Sequence, residues 1–399
     1  MNAFQRPVIL TVIPTFLPGF KAGGPIRTLT NLIDHLGDEF DFRIITSDRD
    51  FGDQAPYPDI EPDVWIKRAQ SQVMYLSRDR LTFGALNAAL ASQTYDALYL
   101  NSFFAPLTIK TLLLRRLGKI SNRPLILAPR GEFSPGALQI KWPKKRLFLH
   151  ATGPAGFYRH LIWQASSQFD AGDIRKTIGR FHLDSDPTIL VAPNLPPRLS
   201  PPQTHESPAK SAGAVRILFL SRIARMKNLD YALSRLAEIT GQVIFDIYGP
   251  LEDAAYWATC QQIIEQLPAT VQVAYRGPVP ADQVHNIFAA YHALLLPTRG
   301  ENFGHVILEA LSAGRPAIIS DRTPWRDLAQ NRAGWDLPLE QPDAFRRALQ
   351  QIIGMNQTEW LAWSKGARKV AEGFIHDPAI IEANRQLFLT ALSRKKSEL

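Results

Sequence analysis

Residues 293–320 read ALLLPTRGENFGHVILEALSAGRPAIIS, and this stretch decides the fold of the second half of the chain. Two short apolar runs, ALLL at its start and AIIS at its end, have the length and composition of buried strands. The apolar segment between them predicts a helix that begins near His305. A strand, a helix and a second strand in that order form the unit of a parallel sheet covered by helices.

The same alternation extends through both halves of the chain. In the second half, strands are predicted at RILFLS (216–221), QVIFDIY (242–248) and VQVAYRG (271–277), with helices beginning near Asn228, Asp253 and Ala281. In the first half, they are predicted at VILTVI (8–13), FRIITS (42–47), ALYLNS (97–102) and PLILAP (124–129). We therefore predict an α/β protein with two Rossmann-like, doubly wound parallel-sheet domains. Ligands of such sheets bind at the carboxyl ends of the strands, so two facing domains would form a cleft lined by strand-to-helix loops.

The joint between the two domains is predicted from composition. The segment LPPRLSPPQTHESPAKSAG, residues 195–213, is rich in Pro and Ser and has no apolar periodicity. At roughly 100–200 residues per domain, the chain of 399 residues also favours two domains. We predict an N-terminal domain over 1–194, a linker over 195–213 and a C-terminal domain over 214–376.

The overall composition excludes several classes of protein. Apolar residues make up 45% of the chain and the net charge is +8, which is typical of globular domains and excludes disordered, collagenous and mucin-like chains. The single cysteine, Cys260, cannot form an intrachain disulfide, so a reducing compartment fits best. The sequence contains no run of 18 apolar residues. We expect a protein that is either free in the cytoplasm or peripheral on the inner face of the membrane.

Positive charge is concentrated in one part of the first half. Residues 105–160 contain eleven Lys or Arg and a single acidic residue, Glu132. A surface of this sign attracts phosphates, anionic lipid headgroups or nucleic acid, and nucleic acid is the weakest of the three because no nucleic-acid-binding motif accompanies the charge. Trp142 stands among cations in KWPKKRLF (141–148), which suggests that this stretch docks on an anionic membrane. Structural packing and a solvated helix face are the alternatives.

Two strand-to-helix loops have the chemistry of phosphate binding. After the first strand, Gly23 and Gly24 precede a predicted helix, whose N-terminal N–H groups would favour an anion if the backbone approaches it closely. A purely structural turn is the alternative there. After the strand RILFLS, Arg222 and Lys227 stand five residues apart just before a predicted helix, where two cations can neutralise a diphosphate from two sides.

A third loop, PTRGENFG, and the predicted helix after it each carry one carboxylate into the same region. Glu301 precedes the turn at Gly304 and would reach toward the end of a ligand, while Glu309 lies within an apolar helical segment. A buried carboxylate needs hydrogen-bond donors, and the two hydroxyls of a ribose are suitable ones. The alternative is that one glutamate caps the helix and the other forms a salt bridge.

Together, these motifs resemble the retaining nucleotide-sugar glycosyltransferases of family 4, which have the GT-B fold. The resemblance covers nearly the whole chain and rests on KAGGP (21–25), LAPRGEFSPGAL (127–138), LFLSRIARMKN (218–228) and the glutamates at 301 and 309. It implies the transfer of a hexose-type sugar from a nucleoside-diphosphate sugar to a glycan or lipid-linked acceptor in cell-surface polysaccharide synthesis. It implies no cofactor, since the nucleotide sugar is a substrate, and it places a last helix, residues 377–394, back against the first domain.

The resemblance also implies a role for each matching residue. Arg222 and Lys227 would bind the donor diphosphate and stabilise the leaving group, and Glu301 would contact hydroxyls of the donor sugar. Donor binding would further involve Gly23 and Gly24 from the first domain, backbone groups around Phe303, Gly304 and His305, the carboxylate of Glu309 for the ribose, and backbone groups near Gly277 and Val279 for the base. Arg130 and Asn101 are candidates for an acceptor or interdomain contact.

One departure from the family pattern concerns the stretch YLNSFF. Many relatives carry a histidine there, near the reacting sugar, whereas this chain has Asn101 and Ser102, which can donate a hydrogen bond but cannot titrate near neutral pH. No protein nucleophile is evident, so the sequence favours a front-face path in which the departing phosphate accepts the proton of the acceptor.

Three alternative functions stay open at this stage. Asp48 with Asp50, and Asp184 with Asp186, form D-x-D pairs that bind a divalent cation in metal-using transferases, although we expect no metal here. A sugar-nucleotide epimerase or a phosphorylase-like enzyme could share the fold, but no motif for either is present. A catalytically silent subunit that binds sugar nucleotides is the third.

Overall fold

A computed structural model describes residues 6–198, 208–280 and 283–397. These residues form two compact units, one made of 6–198 together with 378–397, and the other of the described residues from 208 to 377. Residues 199–207 of the expected linker lie outside the described residues, as do residues 281 and 282 at the start of one predicted helix.

The first unit is an α/β sandwich built on eight strands. The strands are β1 (Val8–Val12), β2 (Asp41–Ser47), β3 (Trp65–Arg68), β4 (Ser71–Leu76), β5 (Ala97–Asn101), β6 (Leu125–Ala128), β7 (Ile162–Ala165) and β8 (Thr188–Val191). The helices between them are α1 (Gly24–Leu36), α2 (Phe83–Ala91), α3 (Pro106–Arg116), α4 (Pro135–Gln139), α5 (Trp142–Thr152) and α6 (Gln168–Phe181).

The sheet of the first unit has the strand order β3-β4-β2-β1-β5-β6-β7-β8. Its two central strands, β1 and β5, are buried at every position, which explains why their sequences are continuous apolar runs. All neighbouring pairs are parallel except β3 and β4, which form an antiparallel hairpin at the edge. The predicted parallel sheet is therefore confirmed, and the structure adds an antiparallel hairpin at this edge, which turns at Ala69, whose φ is 51°.

The second unit is a smaller sandwich with a six-stranded sheet. Its strands are β9 (Ala214–Leu220), β10 (Gln242–Tyr248), β11 (Val271–Gly277), β12 (Ala293–Leu296), β13 (Ala317–Ser320) and β14 (Gly334–Leu337). Its helices are α7 (Leu229–Leu236), α8 (Ala254–Glu265), α9 (Val284–Ala289), α10 (His305–Ser312), α11 (Pro342–Gly354) and α12 (Gln357–Ile375).

The sheet of the second unit is parallel throughout its described strands. The order is β11-β10-β9-β12-β13-β14, so the chain reverses direction of winding between β9 and β12. The loops that follow β9 and β12 are therefore neighbours at the carboxyl edge, which is the position where α/β sheets bind ligands.

The last helix, α13 (Pro378–Ser397), packs on the first unit. The ring of Phe388 lies 5.3 Å from that of Phe40, and the guanidinium of Arg385 contacts both carboxylate oxygens of Glu39 at 2.6 and 2.7 Å. An apolar anchor and a bidentate ion pair thus hold this helix on the sheet of the first unit.

The two ends of the predicted linker are packed into the units. Leu195 is 1% exposed and its carbonyl accepts a hydrogen bond from Asn31, in the first unit. Lys210 is 4% exposed in the second unit, where its ammonium donates to the carbonyls of Ser211, Ile353 and Met355. Residues 195 and 210 therefore belong to folded structure rather than to a flexible joint. No helix among the described residues is long and apolar enough to cross a bilayer.

Candidate functional site

The loops after β9 and β12 meet through an ion pair. The ammonium of Lys227 lies 2.5 Å from a carboxylate oxygen of Glu301, and the two side chains are 12% and 17% exposed. The residues are 74 positions apart in sequence, and the adjacency of β9 and β12 in the sheet brings them together. The predicted cation and the predicted carboxylate therefore form one site at the carboxyl edge of the second unit.

Backbone contacts fix the distance between these two loops. The carbonyl of Met226 accepts from the backbone N–H of Arg299 at 2.8 Å and from the hydroxyl of Thr298 at 3.1 Å. The side chain of Asn228 donates to the carbonyl of Pro297 and accepts from Arg299. Asn228 is 2% exposed and has a φ of 60°, a conformation that asparagine tolerates better than most residues. Sequence reasoning missed this cross-link, because its partners lie about 70 positions apart.

Arg222, the second predicted cation, follows β9 directly. Its guanidinium contacts the carboxylate of Glu252 at 2.5 Å, and both side chains are about one-third exposed. The close approach of the neighbouring strand end requires Gly249, since a Cβ there would lie 1.9 Å from the carbonyl oxygen of Ser221. Glu252 and Gly249 were not predicted as site residues, although the sequence GPLED after a strand is a signal for such a loop.

Gly304 forms the N-cap of α10, and only glycine suits this position. Its φ is 80°, and a Cβ would lie 2.7 Å from Ile307 Cδ1 and 3.1 Å from Glu301 Cγ. The first N–H groups of a helix lack intrahelical acceptors and carry the positive end of the helix dipole. An anion at this end of α10 would therefore be stabilised, beside the Lys227–Glu301 pair.

Glu309 and His305 lie one turn apart on α10. Both are half-buried, while the intervening Ile307 and Leu308 are buried in the core. Residues four positions apart share a helix face, so this face carries an imidazole and a carboxylate at the same edge as Glu301.

The side chain of Phe303 is packed in the core, and the prediction for this residue concerns only its backbone. Its side chain is 3% exposed and packs on Trp325 and Phe374, with ring centroids 5.6 and 5.3 Å apart. Its carbonyl accepts from the indole N–H of Trp325 at 2.7 Å. Phe303 therefore anchors the loop before α10 in the core, and the predicted role of the backbone N–H groups around it stays a prediction.

Gly277 is the last residue of β11. The register between β11 and β10 shifts here, so that Gly277 pairs with Tyr248. Its φ is 83° and its carbonyl accepts from the N–H of Gly249 at 2.9 Å. Val279, two residues on, packs its half-buried side chain against the core of the second unit. A base that is recognised here would use the backbone of the segment after Gly277.

In the first unit, Gly23 and Gly24 begin α1. Gly23 has a φ of 69°, and a Cβ there would meet no atom within 4 Å, so glycine is required by its backbone conformation rather than by crowding. The loop before it is held by Asp50, whose carboxylate accepts from the backbone N–H groups of Phe20, Lys21 and Phe51 at 2.8, 3.1 and 2.7 Å. Sequence reasoning missed this clamp.

The D-x-D pairs have other partners than a metal ion. Asp50 is committed to three backbone donors, and Asp48 accepts from the guanidinium of Arg49. Asp184 accepts from the N–H of Asp186 in a local turn. The described residues contain no group of three His, Cys, Asp or Glu side chains with the geometry of a metal site.

Arg130 and Asn101 contact each other within the first unit. The Nε and Nη2 of Arg130 donate to Asn101 Oδ1 at 3.0 and 2.6 Å, and Arg130 also donates to Tyr99 and Asn194. Asn101 is fully buried, so the structure gives it no surface for an acceptor. Arg130 is half-buried and has a φ of 57°. Burial raises the pKa of the nearby Asp170 to about 6, and the charge of Arg130 opposes this rise.

Glu132, the single acidic residue of the basic stretch, is tied to the loop after β5. Its carboxylate accepts from the backbone N–H of Phe104 at 3.0 Å. Burial raises the pKa of Glu132 to about 7, against the opposing effects of that hydrogen bond and of Lys145. The same burial lowers the pKa of Lys145.

Comparison with solved structures defines the class of fold. The chain is similar to sucrose-phosphate synthase from Thermosynechococcus elongatus, with a TM-score of 0.72 and 16% identity over 98% of this chain and 100% of that one. It is also similar to Anabaena HepE in complex with UDP and glucose (TM-score 0.64, 15% identity, 97% and 100% covered) and to WaaG, a glycosyltransferase involved in lipopolysaccharide biosynthesis (0.63, 13%, 95% and 98%). The chain has the GT-B fold, and this prediction is confirmed.

Comparison of sequences adds a similarity in the second unit. Residues 202–370, somewhat less than half of the chain, match the family described as glycosyl transferases group 1. Two curated relatives are a UDP-N-acetylglucosamine–peptide N-acetylglucosaminyltransferase GtfA subunit of Streptococcus agalactiae, 25% identical over 53% of this chain, and a glycosyltransferase of Methanocaldococcus jannaschii, 23% identical over 34%. The matched regions span 41% and 35% of those two proteins.

Proposed function

We propose that this protein is a retaining glycosyltransferase that moves a hexose-type sugar from a nucleoside-diphosphate sugar to a glycan or lipid-linked acceptor, without a metal ion. The observation that carries the proposal is the Lys227–Glu301 pair beside the N-terminus of α10. The cation and the helix N-terminus suit a diphosphate, and the carboxylate suits the hydroxyls of a sugar.

The comparisons support the donor class. HepE is described in complex with UDP and glucose, and a trehalose-6-phosphate synthase of the same fold is described with UDP-2-fluoro glucose. The donor would lie along the carboxyl edge of the second unit, with its base near Val279, its ribose at Glu309 and its diphosphate between Arg222, Lys227 and the N-terminal N–H groups of α10. Glu301 would then accept hydrogen bonds from hydroxyls of the sugar.

The chemistry that these groups support is stabilisation of the leaving diphosphate. As the bond between the anomeric carbon and the phosphate oxygen breaks, negative charge develops on that oxygen, and Arg222 and Lys227 carry the fixed charges that oppose it. On a front-face path, the same oxygen accepts the proton of the acceptor hydroxyl while the acceptor oxygen bonds to the anomeric carbon on the side that the phosphate leaves. The configuration at that carbon is then retained.

On this proposal, Asn101 and Arg130 would have a structural role. Asn101 is buried and accepts hydrogen bonds from Arg130. Because an amide does not titrate near neutral pH, this chain has no titratable side chain where many relatives have a histidine. The proton transfer would therefore depend on the phosphate, and Arg130 would set the conformation of the loop after β6.

The test measures release of nucleotide from purified protein with a panel of nucleoside-diphosphate sugars, with and without an acceptor extract. We expect release from one donor class, stimulation by the extract, an unchanged anomeric configuration by NMR and full activity in excess chelator. Inversion of configuration, or activity lost in chelator and restored by a divalent cation, would contradict the mechanism. Binding of donors without any release would favour a silent binding subunit.

The proposal of a lipid-linked acceptor is based on the positive charge of the first unit. The basic stretch 105–160 belongs to the first unit, and a lipid-linked acceptor would bring an anionic membrane to it.

A further inference from the structure

We infer that the outer face of α5, together with Ile140 just before it, docks on the surface of an anionic lipid bilayer. This outer face consists of Pro143, Lys144, Arg146 and Leu147. The surface lies outside the donor site and can be tested without catalysis. Only its use, to bring the enzyme to a lipid-linked acceptor, rests on the proposed function.

The inner face of α5 is accounted for by packing. Successive helical residues are rotated by about 100°, so Trp142, Lys145, Phe148 and Leu149 fall in one half of the circumference. Trp142 packs on Phe181 with ring centroids 6.1 Å apart, and the ammonium of Lys145 lies over the ring of Phe104. The sequence-based hypothesis that Trp142 itself meets the membrane is therefore replaced, because the structure uses this tryptophan to attach the helix.

The outer face combines apolar and basic side chains without a covering element. Leu147 is 74% exposed, the largest value for a bulky apolar side chain among the described residues, and Ile140 is 45% exposed. On the helical wheel, Leu147 lies between Lys144 and Arg146, and all three are exposed. Exposing a leucine to water on a short helix brings no benefit to folding, whereas an apolar residue flanked by cations is the pattern of an interfacial helix.

The charge of the segment around α5 indicates which partner binds the outer face. Residues 133–169 contain five Lys or Arg and no Asp or Glu, so no carboxylate within this segment offsets the field of the outer face. Lys141 and Arg159 of the same segment are also exposed. A bilayer with anionic headgroups offers many negative charges above an apolar layer, and it can satisfy the cations and Leu147 at once. A soluble anion such as phosphate would leave Leu147 and Ile140 in water.

The experiment is sedimentation of the full chain with vesicles of phosphatidylcholine alone or mixed with phosphatidylglycerol, at low and high salt. We expect binding only to the mixed vesicles, and weakening by salt because exposed charges are screened. Lys144→Gln with Arg146→Gln should lower the partition coefficient by roughly 20- to 30-fold, at about five-fold per charge. Leu147→Ser should lower it by about ten-fold.

Helix α12 provides a matched control, because it also exposes a leucine and two lysines, Leu361, Lys365 and Lys369. Leu361→Ser and the double variant Lys365→Gln with Lys369→Gln should leave vesicle binding unchanged, as should the donor-site variant Lys227→Ala. Equal binding to both vesicle types, or equal losses from the α5 and α12 variants, overturns the inference. Self-association that Leu147→Ser abolishes, with vesicle binding unchanged, overturns it in favour of a second copy of the chain. Failure of the proposed function leaves this result intact, since no step of the assay involves turnover.

Discussion

Replacement of Lys227 by alanine separates the two roles that the structure gives this residue. Lys227 neutralises Glu301 across 2.5 Å, and both side chains are largely buried. With donor bound, the proposal assigns the same ammonium to the leaving diphosphate. The variant should therefore lose stability through the first role and turnover through the second.

The expected magnitudes differ for the two roles. Removal of the ammonium leaves a largely buried carboxylate without its cation, which should lower the free energy of unfolding by about 1–3 kcal/mol. Loss of one preorganised charge at a developing anion should lower kcat/KM by about 10²–10³-fold. Lys110→Ala is the control in the first unit, since Lys110 donates to the carbonyl of Leu81 and lies over Phe83. Its effect on turnover should stay within about two-fold.

A double variant, Lys227→Met with Glu301→Gln, makes the test decisive. It removes both charges, so no carboxylate is left unpaired and stability should return to within about 1 kcal/mol of the original. Activity should not return, because neither the diphosphate nor the sugar would regain its contact. Urea denaturation gives the free energy of unfolding, and nucleotide release gives kcat/KM. Recovery of activity in the double variant, or Lys227→Ala turning over as fast as Lys110→Ala, would refute the assignment.

Three further predictions concern residues outside the ion pair. Burial raises the pKa of Glu132 to about 7, so the folded state binds this proton more tightly than the unfolded state, and the contribution of Glu132 to stability falls as pH rises from about 4.5 to 7. Glu132→Gln should therefore gain stability relative to the original protein by at most about 3 kcal/mol between pH 5 and pH 8 in urea denaturation, and an unchanged difference would contradict this. Lys210→Met removes the donor to three carbonyls and should lower the free energy of unfolding by roughly 2–4 kcal/mol. Lys210→Arg should lower it less, because a donor remains. Equal losses in the two variants would argue against a stabilising role of the hydrogen bonds. Asp50→Ala should release the loop before α1 and lower stability by roughly 2–4 kcal/mol, and restoration of the variant's activity by Mn²⁺ would show that the aspartate binds metal instead.

The regular part of the fold follows from the sequence because buried parallel strands are continuous apolar runs. VILTVI, QVIFDIY and VQVAYRG were predicted within one or two residues of β1, β10 and β11. Two of the missed strands have weak signals: β7 is the four-residue run IWQA, which contains a glutamine, and β14 is GWDL, whereas β8, TILV, was missed despite its apolar composition. The hairpin of β3 and β4 turns at Ala69 and Gln70 instead of the Asn-Gly or Asp-Gly pair that usually marks a two-residue turn, so its antiparallel edge had no sequence signal.

The site was partly predictable for a similar reason. Ligand-binding residues follow parallel strands, so Lys227 and Glu301 could be placed at one edge from their positions after β9 and β12. Their pairing with each other could not be predicted, because it depends on which strands are neighbours. Glu252 as the partner of Arg222, and Asp50 as a clamp for a loop thirty positions earlier, depend on the same long-range information.

The two ion pairs at the edge of the second unit would exchange partners if a donor bound at the proposed site. Arg222 and Lys227 are each paired with a carboxylate, Glu252 and Glu301. A diphosphate must displace both carboxylates, and an anion alone would recover little free energy because it only replaces one set of ion pairs by another. A sugar attached to the diphosphate changes this balance, since the hydroxyls of the sugar give the released Glu301 new hydrogen-bond donors. On the proposed function, the same exchange that moves the cations to the phosphates would make Glu301 available to the hydroxyls of the sugar, so a nucleotide sugar would be favoured over the free nucleotide.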